Sequence, residues 1–139
     1  MLSSSQLTQL IREIYAADPD VLAAGIADMH AVLDRDPACA TFSQCMLQFK
    51  GYQALQCYRI MHYLWNQGRQ SLALAIQSRV SQLFTVDIHP GAIIGRAVMF
   101  DHATGIVIGE TAQVGDNVSM LHHVCLGGSG TDRGARHPR

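Results

Sequence analysis

The sequence predicts an α+β protein: an all-helical segment over residues 1–85, then a parallel β-helix of hexapeptide repeats over residues 86–139, incomplete after about two coils. Three observations carry this. Apolar residues recur at helical spacing as far as about Phe84. From Ile88 the chain divides into six-residue units instead: IHPGAI, IGRAVM, FDHATG, then IGETAQ, VGDNVS, MLHHVC and LGGSGT. The glycine density of this second part argues against helix, whose interior glycine destabilises.

Ser5 is a plausible N-cap for a first helix carrying Leu7, Leu10, Ile11 and Ile14 on one face. Asp18-Pro19 starts a second, with a capping carboxylate ahead of a proline at the first helical position. Val21, Leu22, Ile26, Met29 and Leu33 form its apolar stripe, and Asp36-Pro37 ends it. A third helical run, GYQALQCYRIMHYLWNQG, stops at Asn66-Gln67-Gly68. A fourth, SLALAIQSRVSQLF, reaches Phe84. Trp65 and the tyrosines of the third run read as packing residues.

Each hexad opens on an aliphatic or aromatic residue, which points into the coil, and its fifth place is usually small or β-branched. Glycine permits the tight corners. Three hexads make one triangular coil, and the two-residue insertion Ile106-Val107 shifts the register after the third. A coil left open exposes unpaired backbone, so a chain that stops at Arg139 reads as a fragment of a longer protein.

Composition narrows the function classes. With 139 residues and 48% hydrophobic residues the chain can bury one modest core. A net charge of -1 and a pI near 6.6 provide no basic footprint for nucleic acid. Lys50 is the only lysine, and the arginine bias favours fork-like contacts to carboxylate or phosphate. No apolar run spans a bilayer and the start shows no secretory pattern, so the expectation is cytoplasmic. Cys39, Cys45, Cys57 and Cys125 form no CxxC pair and read as reduced, mostly buried thiols.

The runs DIHPGAIIG, FDHATGIVIGET and LGGSGTDRGARHP, with the upstream DRDPACATFSQCMLQFKGYQALQCYRIMHYLWNQG, resemble serine acetyltransferase, a hexapeptide-repeat acyltransferase of cysteine biosynthesis. The resemblance covers nearly the whole chain. It implies a left-handed winding, homotrimers (paired into hexamers at full length) and active sites between neighbouring coils. It implies acetyl transfer from acetyl-CoA to the L-serine hydroxyl, giving O-acetyl-L-serine, with L-cysteine as feedback inhibitor and no metal. It also implies an O-acetylserine sulfhydrylase partner, docked through a tail that this chain lacks, together with the family's first helices and later coils.

An alcohol attacking a thioester needs a general base, for which an imidazole titrating near neutrality is suited. The resemblance assigns this role to His102 and the carboxylate behind it to Asp87. Their separation of fifteen residues suits adjacent rungs of a coil near one edge. Arg136 resembles a carboxylate clamp for serine, and His137 a second serine contact. Asp36 and Asp101 resemble the acids that receive the serine ammonium or hydroxyl. His122, ahead of His123, is a candidate donor to the thioester oxygen. Gly128 and Ser129 resemble the start of the coenzyme A groove. Glu110 reads as a solvated turn or a subunit contact.

Three other readings fit some of these residues. One is a hexapeptide-repeat acyltransferase acting on a sugar or antibiotic. Another is a β-helical zinc enzyme using His89, His102 and His122. The third is a catalytically incomplete trimeric fragment that keeps the serine or cysteine pocket.

Overall fold

The computed structural model describes residues 3–128, 130, 131 and 133–139. Five helices lead into seven two-residue strands: α1 (Ser4–Ala17), α2 (Pro19–Arg35), α3 (Phe42–Gln48), α4 (Lys50–Asn66), α5 (Gln70–Phe84), β1 (Asp87–Ile88), β2 (Ile93–Ile94), β3 (Met99–Phe100), β4 (Val107–Ile108), β5 (Gln113–Val114), β6 (Ser119–Met120) and β7 (Cys125–Leu126).

Local chemistry sets the helix ends. α1 starts at a capping box in which Ser3 and Gln6 satisfy each other's backbone N–H. The cap is therefore Ser3 and not Ser5, because only Ser3 has a glutamine three places on. Asp18 caps α2 ahead of Pro19, and Asp36 closes it. The α3 turn, capped by Thr41, was not expected: seven residues with exposed Phe42, Met46 and Leu47 carry too little periodicity to register.

The strands pair only in parallel, in three ladders: β1-β4-β7, β2-β5 and β3-β6. The chain thus winds round a triangle and returns to each face one level on. Asp87 pairs with Val107, Ile93 with Gln113 and Met99 with Ser119, so the first turn of the coil is twenty residues long. Val107 pairs with Cys125, so the next is eighteen, or three hexads. The extra pair of residues sits between β3 and β4. The hexad-opening residues Ile88, Ile94, Phe100, Ile108, Val114 and Met120 are all buried, as are Ala92, Val98 and Ala112 at fifth places.

One core joins helices and coil. Leu55, Tyr58, Met61 and Leu64 of α4 pack in a single cluster with Ile88, Ile106 and Ile108. Each such side chain stabilises by about 1.5–3 kcal/mol on burial. A polar seam lies beside it. Tyr58 donates to the Ala92 carbonyl at 2.6 Å and accepts from Ile94 N–H at 3.2 Å. Asp28 is fully buried and Arg59 nearly so, joined by two bonds of 2.6 and 2.8 Å. Arg59 also donates to the Gly95 carbonyl, and Asp28 accepts from Val98 N–H and the Gln56 amide. α2, α4 and the coil therefore meet on one charge pair.

The cysteines are free. Cys39 and Cys45 are buried, and burial pushes the Cys45 thiol up to about 12, with Cys39 adding to it. Cys57 is half-buried and Cys125 lies exposed on β7. Among the described residues no helix is long and apolar enough to cross a membrane.

Candidate active site

The longer turn between β3 and β4 carries the histidine that the sequence singles out. His102 and Ala103 both have positive φ, 57° and 60°. The N–H of Ala103 donates to Asp101 O at 2.6 Å, and that of Thr104 to His102 O at 2.8 Å. These are two successive tight turns of the strained γ type. Backbone held in such sparsely populated conformations costs about 1–3 kcal/mol per residue and clusters at functional sites. The corner after β2 takes up positive φ once on each level, at Ala97 and Asn117, and the corner after β6 once, at His123; the corner after β3 takes it up at Ala103, at Gly105 and at His102.

The imidazole of His102 projects outward, with its side chain 77% exposed, and Asp101 Oδ1 stands 3.8 Å from Nε2. His122, one level along the same corner, meets it edge-on at 6.2 Å between ring centres. His123 is turned differently: its ring lies against Gly105 and its N–H is bonded to Thr104 O. A cleft of about 410 Å³ opens beside His102, lined by Asp36, Lys50, Tyr52, Asp101 and His102 among others. Asp36 reaches it from the end of α2, its Oδ1 holding the N–H of Ala38 at 2.9 Å. Helical half and coil thus contribute carboxylates to one cavity, next to one imidazole.

Asp87 does not follow the spacing argument. The first turn is twenty residues long, so Asp87 stacks on Val107 and belongs to the same level as His102. Its carboxylate accepts from Gln77 of α5 at 2.8 Å, and within one chain no hydrogen bond or ion pair joins it to His102 among the described residues. A separation of fifteen residues is shorter than either turn of the coil, twenty or eighteen, so the two residues fall on one level.

Arg136 and His137 lie on a different corner, between β4 and β5. Arg136 Nη2 donates to Glu110 Oε2 at 3.0 Å, and His137 Nδ1 meets Thr111 Oγ1 at 2.7 Å. The Thr111 hydroxyl also accepts from the N–H groups of Arg136 and His137. Glu110, read from sequence as a solvated turn or a subunit contact, is the partner of the guanidinium; nothing in its local sequence signals this, since Arg136 is 26 residues away. Gly128 lies under the same segment: a Cβ there would meet His137 and Arg136 at 3.3–3.4 Å. Ser129 lies outside the described residues.

His89 packs edge-on against Trp65 at 4.9 Å, and its Nδ1 accepts from Gly91 N–H at 3.0 Å. It is occupied as a packing residue on the corner away from His102. Burial lowers its pKa below the ordinary histidine value, against the opposing pull of Glu110 and Asp87. A neutral imidazole is therefore favoured in the folded chain. As pH falls through about 6.5 the unfolded chain takes up a proton before the folded one does, so stability drops in that window. His89→Gln should flatten this part of the stability–pH curve, measured by urea unfolding between about pH 5 and 7; an unchanged slope would refute the assignment.

Known proteins resemble this chain over nearly its whole length. A family model for the N-terminal part of serine acetyltransferase matches residues 1–57. The probable serine acetyltransferase 5 of Oryza sativa subsp. japonica is 56% identical over 138 residues, 99% of this chain and 41% of the relative. A crystal structure of serine acetyltransferase from Vibrio cholerae O1 biovar El Tor N16961 superposes with a TM-score of 0.96 at 50% identity, over 99% of this chain and 53% of that one.

The chain belongs to the serine acetyltransferase family.

It spans about half the length, or less, of the members it matches. One member, the soybean serine acetyltransferase, was solved in complex with serine; it matches with a TM-score of 0.95 at 51% identity, over 99% of this chain and 56% of that one. Other serine acetyltransferases that match at 50% identity are complexes with cysteine (TM-score 0.93, 96% and 55% covered) and with CoA (TM-score 0.85, 88% and 53% covered).

Proposed function

We propose that this chain carries the serine-binding and catalytic part of a serine O-acetyltransferase, which moves the acetyl group of acetyl-CoA to the L-serine hydroxyl in cysteine biosynthesis. The cleft that joins Asp36 of the helical half to Asp101 and His102 of the coil is the observation that carries the reading. His102 removes the hydroxyl proton as the oxygen attacks the thioester carbonyl. Asp36 and Asp101 receive the serine ammonium. His122, beside His102, donates to the oxygen that gains charge. The thiolate of coenzyme A leaves, and no covalent enzyme intermediate is required.

The guanidinium fork of Arg136, with His137, holds the serine carboxylate. These two sit on another corner of the coil from His102, which supports a site completed between subunits of a homotrimer. Ile93 and Val107, exposed at 55% and 36% on the outer faces of the coil, support its association with further copies. Asp87, with Gln77 behind it, is the carboxylate assigned to the imidazole of this assembly. The division into a helical domain, residues 1–85, and a left-handed β-helix, residues 86–139, follows the same reading. So do a coenzyme A groove beginning at Gly128 and Ser129, L-cysteine as an inhibitor in the serine site, a sulfhydrylase partner for the full-length protein and a cytoplasmic location.

Serine-dependent release of coenzyme A thiol, followed with acetyl-CoA, tests the activity; its absence at saturating serine would sink it. Binding of L-cysteine by calorimetry tests the pocket. Arg136→Ala should weaken it by roughly 10- to 100-fold, the worth of a charge-assisted bond to a carboxylate. Arg136→Lys should not restore it, because an ammonium cannot reproduce the planar fork. Full affinity in Arg136→Ala would remove Arg136 from the clamp.

A further inference from the structure

Lys50 has no part in the reading above, yet it reaches the corner that carries His102. It opens α4, and its ammonium donates to the hydroxyls of Thr104 and Thr85. Thr104 lies two residues after His102. Thr85, at the end of α5, accepts at its carbonyl from Gly105 N–H at 2.8 Å. No carboxylate lies within 4 Å of Lys50 among the described residues, and its side-chain contacts are both hydroxyls, one at the far end of the strained turn and one on the end of α5 beside it.

A second observation points to the same place. Gly51, next in sequence, is pressed against the turn from the cleft side. A Cβ built on it would overlap the Phe100 carbonyl oxygen and crowd the Ala103 side chain. The Phe100 oxygen is backbone and cannot swing away. The first turn of α4 is therefore shaped to the path from Phe100 to Gly105, with a glycine where the backbones touch and a lysine tying down the far end. The two consecutive positive-φ residues at His102 and Ala103 need such outside support, since strained backbone persists only where its surroundings over-determine it.

We propose that Lys50 is a positioning residue for His102: by holding Thr104 to Thr85 it keeps the tight double turn closed and fixes where the imidazole stands beside the cleft. This rests on His102 being the base of the acetyl transfer. A displacement of about 1 Å at a catalytic group can cost on the order of 100-fold in rate, which sets the expected scale.

The test compares Lys50→Met, Lys50→Arg and Thr104→Val with the parent chain. Lys50→Met should lower kcat on the order of 10- to 100-fold with little change in the KM for serine. Lys50→Arg, which can still bond both hydroxyls, should recover most of the loss. In a His102→Ala background Lys50→Met should have no further effect, because two residues acting through one group are not additive. Wild-type kcat in Lys50→Met, or an equal loss with and without His102, would overturn the proposal. Absence of serine-dependent turnover in the parent would instead refute the acetyl-transfer reading. The proposal is then decided by the His102 ring signals in a proton–carbon correlation spectrum: displaced or split in Lys50→Met if the lysine holds the turn, unmoved if it does not.

Discussion

His102→Ala is expected to lower serine-dependent acetyl transfer by about 10²- to 10⁴-fold, the range for loss of a positioned general base. The protein should remain folded, since the side chain is 77% exposed and alanine inherits the same backbone. L-Cysteine should still bind, because Arg136 and Asp36 are untouched. That combination separates loss of a base from loss of a pocket: kcat collapses while cysteine affinity stays within a few-fold of the parent. Activity within tenfold of the parent would remove His102 from the chemistry. Loss of cysteine binding as well would make it a ligand contact. The exposed setting of the imidazole in one chain makes the first outcome depend on the assembled site, so activity and oligomeric state should be measured on the same sample.

Asp28→Ala should be the most damaging single change to the fold. Asp28 is fully buried and Arg59 only 8% exposed, and the pair accepts or donates five hydrogen bonds in all, including those to Gln56, Gly95 and Val98. Removing the carboxylate leaves a guanidinium in the seam without its counter-charge and strands the Val98 N–H. Breaking a buried pair from one side costs about 3–5 kcal/mol, a large share of the stability of a domain this size. The exposed ion pair of Arg96 with Asp20, 3.2 Å apart with side chains 51% and 79% exposed, is the internal control. Asp20→Ala should fall within about 1 kcal/mol of the parent, because water and salt screen an exposed pair. Urea unfolding of both variants decides the matter, and similar midpoints for the two would show that the buried pair is not the joint between helices and coil.

Much of this fold was legible because its signals are local. Asp18-Pro19 and Asp36-Pro37 act through the backbone of their own helix ends. The hexads could be read because the coil buries one side chain at each opening position, whatever lies beyond. α3 escaped because a seven-residue turn has too few apolar repeats to stand out. Asp28 and Arg59 escaped for another reason: each is an ordinary polar residue on its own helix, and only their meeting across 31 residues marks them. The candidate site divides in the same way. His102 was conspicuous from its motif, whereas Glu110 read as a solvated turn or a subunit contact. The spacing of Asp87 suggested a rung adjacent to that of His102, but the two share one turn of the coil. The ladder register that puts Asp87 on the level of His102 and the contact that brings Arg136 to Glu110 are properties of the wound chain.

The sequence by itself determined the helical and coiled halves, the place where one grammar yields to the other, and the residue types able to move a proton or hold an amino acid. Periodicity, capping and turn chemistry depend on neighbours a few places apart, and those neighbours are written in order. Which carboxylate faces which cation was decided only by tertiary structure. Asp36 joins His102 in one cleft, Asp87 turns to Gln77, and Glu110 takes Arg136, because winding and helix packing bring together groups that are distant in sequence. A two-residue insertion between β3 and β4 makes one turn of the coil twenty residues long where the next is eighteen, and the extra residues lie in the corner that carries the imidazole.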